Sequence, residues 1–348
     1  MAKMDQNSIS LRRLRQNPAI RGLTREIHVS PQQLIQPYFI VEAILEKQAV
    51  PGLTGVYRET PDSLLKQVEQ DLEAGCNKML LFGVPAQKVE KNFQFDFTAS
   101  QIAALRKRFG KDLFISVDVC LCSSTTHGHC GILTAEGDHV ENSASVAELA
   151  RAATEYAQAG ADCVAPSDMM DGRIQAIRRS LDVAGLDRTL IMSYSAKFHS
   201  RFYGPFRIAA DSAPKHGDSS NQRGKRLKDR STYQIDPARP SDAWLSSIRD
   251  SEEGADILMV KPGLPYLDIL KELSEKIKKP WAVYEVSGEY AAIELMAKEG
   301  LINAPLAHIE SWTALIRAGA QMIITYGARN ARAWLKQAQQ DQDHEESV

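Results

Sequence analysis

The sequence has no run of 18 apolar residues, so no stretch of it is long enough to cross a bilayer as a helix. It has almost no net charge, since 42 Lys and Arg stand against 44 Asp and Glu. That removes the broad basic field expected of a nucleic-acid or membrane-surface binder. No apolar stretch follows Lys3, Arg12, Arg13 and Arg15, so a secretory signal is not expected. No Gly-x-Gly-x-x-Gly follows the first apolar run, which argues against a dinucleotide-binding open sheet. Cysteine is scarce and odd in number: Cys76, Cys120, Cys122, Cys130 and Cys163. With three of the five inside eleven residues, a disulfide framework is not expected, and a metal site in a reducing cytoplasm is.

What is present is a recurring phrase. A helical segment ends in glycine and a short apolar strand follows: AGCNKMLLFGV at Ala74, AGADCVAPS at Ala159, EGADILMVKPG at Glu253 and AGAQMIITYG at Ala318. Glycine suits the left-handed residue that closes a helix, and the apolar run suits a strand buried on both faces. Leu34–Ile40, Leu113–Val119, Leu190–Tyr194 and Trp281–Val286 supply four more strands. Thr60-Pro61-Asp62 starts one intervening helix, with Leu64, Leu65, Val68 and Leu72 as its apolar face. Eight alternating strand–helix units predict a (β/α)8 TIM barrel with an extended N-terminal arm. The expected boundaries are a polar, Arg-rich arm over residues 1–30, a barrel over 31–336 with a lid at about 198–233, and a polar tail over 337–348.

Barrel enzymes carry their chemistry at the C-terminal ends of the strands. Here those ends read Asp118 and Cys120, Ser167 and Asp168, Ser195 and Lys197, Lys261, Ser287 and Glu289, and Tyr326. The spacing of Cys120, Cys122 and Cys130 lets three thiolates converge on one tetrahedral ion and leaves a fourth position open, the catalytic pattern of zinc. His129 closing that site is the lesser alternative, and Cys76 and Cys163 read as core filler. Lys261 follows a buried strand, where desolvation lowers its pKa and frees the amine to attack a carbonyl. Lys197 at another strand end strengthens that reading, because two ammonium groups facing one cavity depress each other's pKa. The long segment from Phe198 to Tyr233 offers Arg207 and Arg230, which suit a substrate carboxylate. Its basic stretch at 219–228 lacks aromatic interleaving and reads as a solvated insertion rather than a nucleic-acid site.

The cysteine run, Ala165-Pro166-Ser167-Asp168-Met169-Met170-Asp171-Gly172-Arg173, Phe202-Tyr203-Gly204-Pro205-Phe206-Arg207, Met259-Val260-Lys261-Pro262 and Val286-Ser287-Gly288-Glu289-Tyr290 together resemble the porphobilinogen synthase (5-aminolevulinate dehydratase) family, in its zinc-using branch. The resemblance runs from about Arg12 to Arg332. It implies that Lys261 forms a Schiff base with one 5-aminolevulinate and that Lys197 can hold a second in the same way. It also implies that Ser287 and Tyr326 bind the first substrate's carboxylate, and that Arg207, Arg230 and Gln234 bind the second one's. Cys120, Cys122 and Cys130 match the catalytic zinc ligands, and Asp118 and Ser167 match polar groups lining the cavity. A homo-octamer embraced by the N-terminal arm is implied as well.

Some positions depart from the family pattern. Ser246 stands where many bacterial members have the glutamate of an allosteric magnesium site, so that site is not expected. Ile208, Glu285 and Ser124 replace the usual Asp, Gln and Tyr, and Thr232 removes the basis for a second zinc site. Two other readings compete: another Schiff-base barrel of the class I aldolase kind, and a non-catalytic zinc-stabilised assembly protein. The first does not account for three clustered cysteines with a second lysine and two arginines.

Overall fold

A computed structural model of the chain describes residues 11–214 and 227–345, with side chains to residue 340. Ten strands form in chain order: β1 Leu34–Val41, β2 Gln48–Ala49, β3 Tyr57–Glu59, β4 Lys78–Val84, β5 Phe114–Val119, β6 Cys163–Pro166, β7 Leu190–Lys197, β8 Ile257–Lys261, β9 Trp281–Tyr284 and β10 Met322–Ile324. β1 and β4–β10 pair in parallel in chain order, and β10 closes back onto β1. The expected (β/α)8 barrel is therefore what forms, from the eight predicted strands. The β2–β3 hairpin, which edges β1, was not expected.

The helices are α1 Pro18–Leu23, α2 Pro61–Glu73, α3 Asp96–Phe109, α4 Asn142–Gln158, α5 Arg173–Val183, α6 Gly204–Ala209, α7 Pro240–Glu252, α8 Leu267–Lys276, α9 Ser287–Lys298, α10 Ala304–Arg317 and α11 Ala331–Glu345. Among the described residues no helix is long and apolar enough to cross a membrane. α2 starts as its sequence dictates. Thr60 caps it, Pro61 takes the first turn, and the Ser63 hydroxyl oxygen accepts the Thr60 N–H at 2.9 Å. The phrase glycines sit in the left-handed region at the helix ends, as with Gly160 (φ 108°) and Gly319 (φ 116°). Residues 11–33 carry short 3-10 turns and α1, and none of the residues in the turn Leu11–Arg15 or in α1 is buried.

Two apolar clusters follow from strand alternation. Leu80 and Phe82, Cys163 and Ala165, Met192 and Tyr194, Ile257 and Met259, and Ala282 and Tyr284 fill the barrel interior at a period of two. The residues between them pack outward on the helices. Cys163 is part of that interior filling and Cys76 packs in the outer layer.

A buried ionic staple ties α5, β7 and α7 together behind the strand ends. Arg173 Nη2 donates to Asp250 at 3.0 Å, Ser193 Oγ donates to the same oxygen at 2.6 Å, and Asp168 lies 3.5 Å from Arg173 Nε. All three charged side chains are fully buried. Asp250→Ala leaves the guanidinium with half its counter-charge in a dry site. It is expected to cost about 3 kcal/mol, read as a lower urea midpoint; a cost under about 1 kcal/mol would mean that water reaches the cluster.

Candidate active site

The interior alternation delivers side chains to the barrel mouth. Along β8 the inward positions Ile257 and Met259 continue to Lys261. Along β7, Met192 and Tyr194 face inward, and strict alternation would turn Lys197 out. It does not, because the β7–β8 register shifts: Ser193 pairs with Leu258, but Ala196 pairs with Val260. The extra residue is a bulge, and it places Lys197 directly opposite Lys261. The displaced Ser195 hydroxyl instead meets Ser247 of α7 at 3.0 Å.

Both amines are buried. Lys261 Nζ sits in a box of aromatic faces, with ring centroids at 4.1 Å (Tyr284), 4.8 Å (Phe206), 5.0 Å (Tyr194) and 5.4 Å (Tyr203). Lys197 Nζ lies 5.6 Å from the same Tyr194 ring and donates to the Ser167 carbonyl. Burial, then the Lys197 charge, hold the Lys261 pKa well below the ordinary lysine value, although Asp118 and Cys122 pull the other way. Asp118 is pushed up to about 7, first by burial and then by Cys122; Lys197, the Ser167 hydroxyl and Lys261 oppose the shift. The two amines thus share the Tyr194 ring at the barrel mouth, Lys197 bonds to Ser167 there, and Asp118 and Cys122 act on the Lys261 charge.

The described parts of the Phe198–Tyr233 segment reach this mouth, where Tyr203 and Phe206 wall the Lys261 amine. The segment's two ends meet at a parallel bridge between Phe198 and Ile235, and the Ile235 N–H donates to the Lys197 carbonyl at 3.1 Å. The basic stretch at 219–228 lies outside the described residues except for its last two. Ser287, at the start of α9, accepts the Phe206 N–H at 3.1 Å and donates to the Phe202 carbonyl at 3.2 Å. Glu289 clips this turn to the one after Lys261, accepting N–H groups from Val286 (2.7 Å), Gly263 (3.2 Å) and Leu264 (2.5 Å). Tyr326 reaches the Tyr284 hydroxyl at 3.3 Å, which joins it to the wall of the Lys261 box.

A Cβ on Gly288 would lie 2.7 Å from the Phe202 carbonyl oxygen and 2.9 Å from its Cα, both backbone atoms. Gly288→Ala is expected to unseat α6 by about 1–3 kcal/mol. Faster tryptic cleavage at Arg201 and Arg207 would report it; an unchanged cleavage rate would show that the segment does not depend on this seat.

Arg230 is buried, and its Nη2 donates to the carbonyls of Ser212 (2.6 Å) and Gly128 (3.0 Å). Burial opposes its charge, but Cys130 and Cys122 more than offset that and raise its pKa. Arg207 lies on α6, and its pKa is lowered by burial and then by Arg230. Both amide atoms of Gln234, and Nε of Arg207 and of Arg230, are buried without a hydrogen-bond partner among the described residues. A cation pair and an amide with unspent buried hydrogen-bonding capacity suit an anionic ligand.

The Sγ atoms of Cys120, Cys122 and Cys130 lie within 4.8 Å of one another, and Cys120 and Cys122 approach to 3.3 Å. Hydrogen bonds from Cys120 and Cys130 hold the Cys122 thiol well below its ordinary pKa. A thiolate and two adjacent thiols form a soft trigonal donor set, which fits a metal ion. His129 is not in the set: its Nδ1 meets the Tyr233 hydroxyl at 3.1 Å. Ser246 offers no carboxylate, and its hydroxyl donates to the Ser195 carbonyl at 2.6 Å.

The residues singled out from the sequence fall at or just after strand ends, at the start of α9, and on the stretch from Arg207 to Gln234. The aromatic box was not expected from the sequence, although Tyr194 and Tyr284 share the inward parity of their strands and could have been found by it.

Fold and site together describe a (β/α)8 barrel enzyme whose mouth carries two buried amines and a thiol trio that could hold a metal ion. The family profile of delta-aminolevulinic acid dehydratase matches residues 8–334, and the chain belongs to that family, the porphobilinogen synthases, which are hydro-lyases. The delta-aminolevulinic acid dehydratase of Helicobacter pylori (strain J99) is 41% identical over 324 residues, covering 92% of this chain and 96% of that one. The Bacillus subtilis (strain 168) enzyme of the same name is 38% identical over 336 residues, covering 95% and 99%. A crystal structure of the Toxoplasma gondii enzyme in complex with the reaction product porphobilinogen superposes with a TM-score of 0.87 at 38% identity, covering 94% of this chain and 91% of that chain.

Proposed function

We propose that the chain condenses two molecules of 5-aminolevulinate to porphobilinogen with loss of two waters, an early step of tetrapyrrole (haem) synthesis, in the cytoplasm and as a homo-octamer. The observation that carries this reading is the β7 bulge, which sets two buried lysines opposite each other at the barrel mouth, while three thiols cluster after the end of β5.

Lys261, in its uncharged form, adds to the ketone carbon of the first substrate, and loss of water from the carbinolamine gives a protonated imine. The imine acidifies the neighbouring C–H, so a carbon–carbon bond can form near neutral pH. The Ser287 and Tyr326 hydroxyls hold that substrate's carboxylate. Arg207, Arg230 and Gln234 hold the second one's, and their unspent buried donors support this role. Lys197 binds the second ketone in the same way. Asp118, poised near neutrality with Ser167 beside it, takes and returns protons. Cys120, Cys122 and Cys130 would hold a zinc ion, which when bound acts as a Lewis acid on the second substrate.

Borohydride reduction in the presence of 5-aminolevulinate tests the reading. The peptide carrying Lys261 is expected to gain the reduced adduct. Labelling by a sugar phosphate in its place would favour the aldolase alternative, and no labelling at all would favour an assembly protein.

A further inference from the structure

Behind Ser287 and Tyr326 lies a buried charged cluster that the proposed chemistry does not use. Glu285 follows β9 and points opposite to Tyr284, out of the barrel toward α10. Its Oε2 accepts from Thr325 Oγ1 at 2.5 Å and from Trp312 Nε1 at 3.0 Å. Thr325 Oγ1 also accepts the Gly327 N–H at 3.1 Å. One carboxylate therefore fixes the turn from which Tyr326 projects, and it belongs to the residue two before Ser287. The backbone reinforces the link, with the Glu285 N–H donating to the Ile324 carbonyl at 2.9 Å.

The other oxygen, Oε1, has no hydrogen-bond partner among the described residues and faces His308 Nδ1 at 3.6 Å. His308 Nε2 meets Glu294 Oε1 at 3.1 Å. Glu285 and His308 are both fully buried. The imidazole stacks on Tyr290 (4.9 Å) and on Trp334 (5.0 Å), which restrict its orientation. The other ionisable groups facing the cluster are Glu289, Tyr290 and Glu294 on α9 and Arg329 beyond β10. Among the described residues, His308 is the one cation paired with Glu285. A carboxylate buried without its cation is costly.

We infer that Glu285 and His308 are positioning residues for the subsite of Ser287 and Tyr326. The pair sets the Thr325–Gly327 turn, and with it the affinity for the first substrate, while His308 carries its proton. This rests on the carboxylate-binding role given to Ser287 and Tyr326 above. Burial works against charge on His308, but Glu285 and Glu294 outweigh it and raise the imidazole pKa above 6.5. The pairing is therefore complete below that value and is lost as pH rises through the raised one.

The test is the 5-aminolevulinate concentration that half-saturates borohydride trapping at Lys261 in the full-length protein. His308→Ala, which strands the carboxylate, is expected to raise it about tenfold. Glu285→Gln combined with His308→Ala removes the stranded charge and is expected to restore it to within about threefold of wild type. The wild-type value divided by the double variant's should rise between pH 6 and 9. A His308→Ala value within twofold of wild type, or a double variant no better than the single, overturns the inference. Should His308→Ala not fold, a ratio that is flat with pH does so on its own. Absence of any wild-type adduct at Lys261 would remove the parent reading, which keeps the two failures distinct.

Discussion

Lys261→Arg is expected to lower the rate of porphobilinogen formation by about four orders of magnitude or more, a barrier increase of about 5.5 kcal/mol. Arginine preserves the charge but cannot form an imine, and its guanidinium stays protonated. The size of the loss follows from what the fold does to this amine. At the ordinary lysine pKa, only about one amine in 2,500 is uncharged at pH 7. Burial in four aromatic faces and the Lys197 charge lower the Lys261 pKa and raise that fraction. Lys197 is no substitute, because in the proposed reaction it holds the second substrate, and its Nζ lies 5.6 Å from the Tyr194 ring rather than inside the Lys261 box. The sign can be checked with Lys197→Met. Losing the neighbouring charge raises the Lys261 pKa, so the acid limb of its trapping rate should move to higher pH. A limb that stays in place would mean that burial alone sets the amine. Residual activity of Lys261→Arg above about one part in a hundred would assign the essential imine to another lysine.

The barrel was legible because its signals are local. Strands buried on both faces read as continuous apolar runs, and helices ended by glycine punctuate them. The thiol trio was legible for the same reason, since its members lie within eleven residues. What the sequence did not show is geometry built from non-local contacts. The strand expected to stop at Tyr194 runs on to Lys197, because pairing with β8 continues past the bulge. Nothing in Ser193-Tyr194-Ser195-Ala196 announces that bulge, yet it decides whether Lys197 faces the cavity or α7. Phe206 and Tyr203 belong to the Lys261 box only because α6 folds over the mouth and docks on Ser287. Glu285 and His308 lie 23 positions apart, and each alone reads as a surface residue of a strand end or a helix. The arm was read from its polar, Arg-rich composition, whereas the octamer came from family resemblance rather than from any pattern in the residues.

Cys120→Ala, Cys122→Ala and Cys130→Ala together are expected to abolish stoichiometric zinc binding and to lower porphobilinogen formation by about three orders of magnitude or more. Borohydride trapping of the first substrate at Lys261 should survive. The asymmetry separates loss of a metal from loss of the fold, because the wall of the Lys261 box is aromatic and contains none of the three thiols. Cys122 and Cys130 are buried and Cys120 is half-buried, so a packing role alone would cost stability and leave turnover intact. The electrostatics argue against packing alone. Three mutually hydrogen-bonded thiols, one of them held well below its ordinary pKa, lie beside a buried arginine whose charge Cys130 and Cys122 support. A divalent ion held by three thiolates would carry one net negative charge, which the Arg230 charge would help to balance. Zinc measured per chain before and after chelation, alongside product formation, decides the matter. Full turnover in the triple variant would leave the lysine pair to do the chemistry unaided.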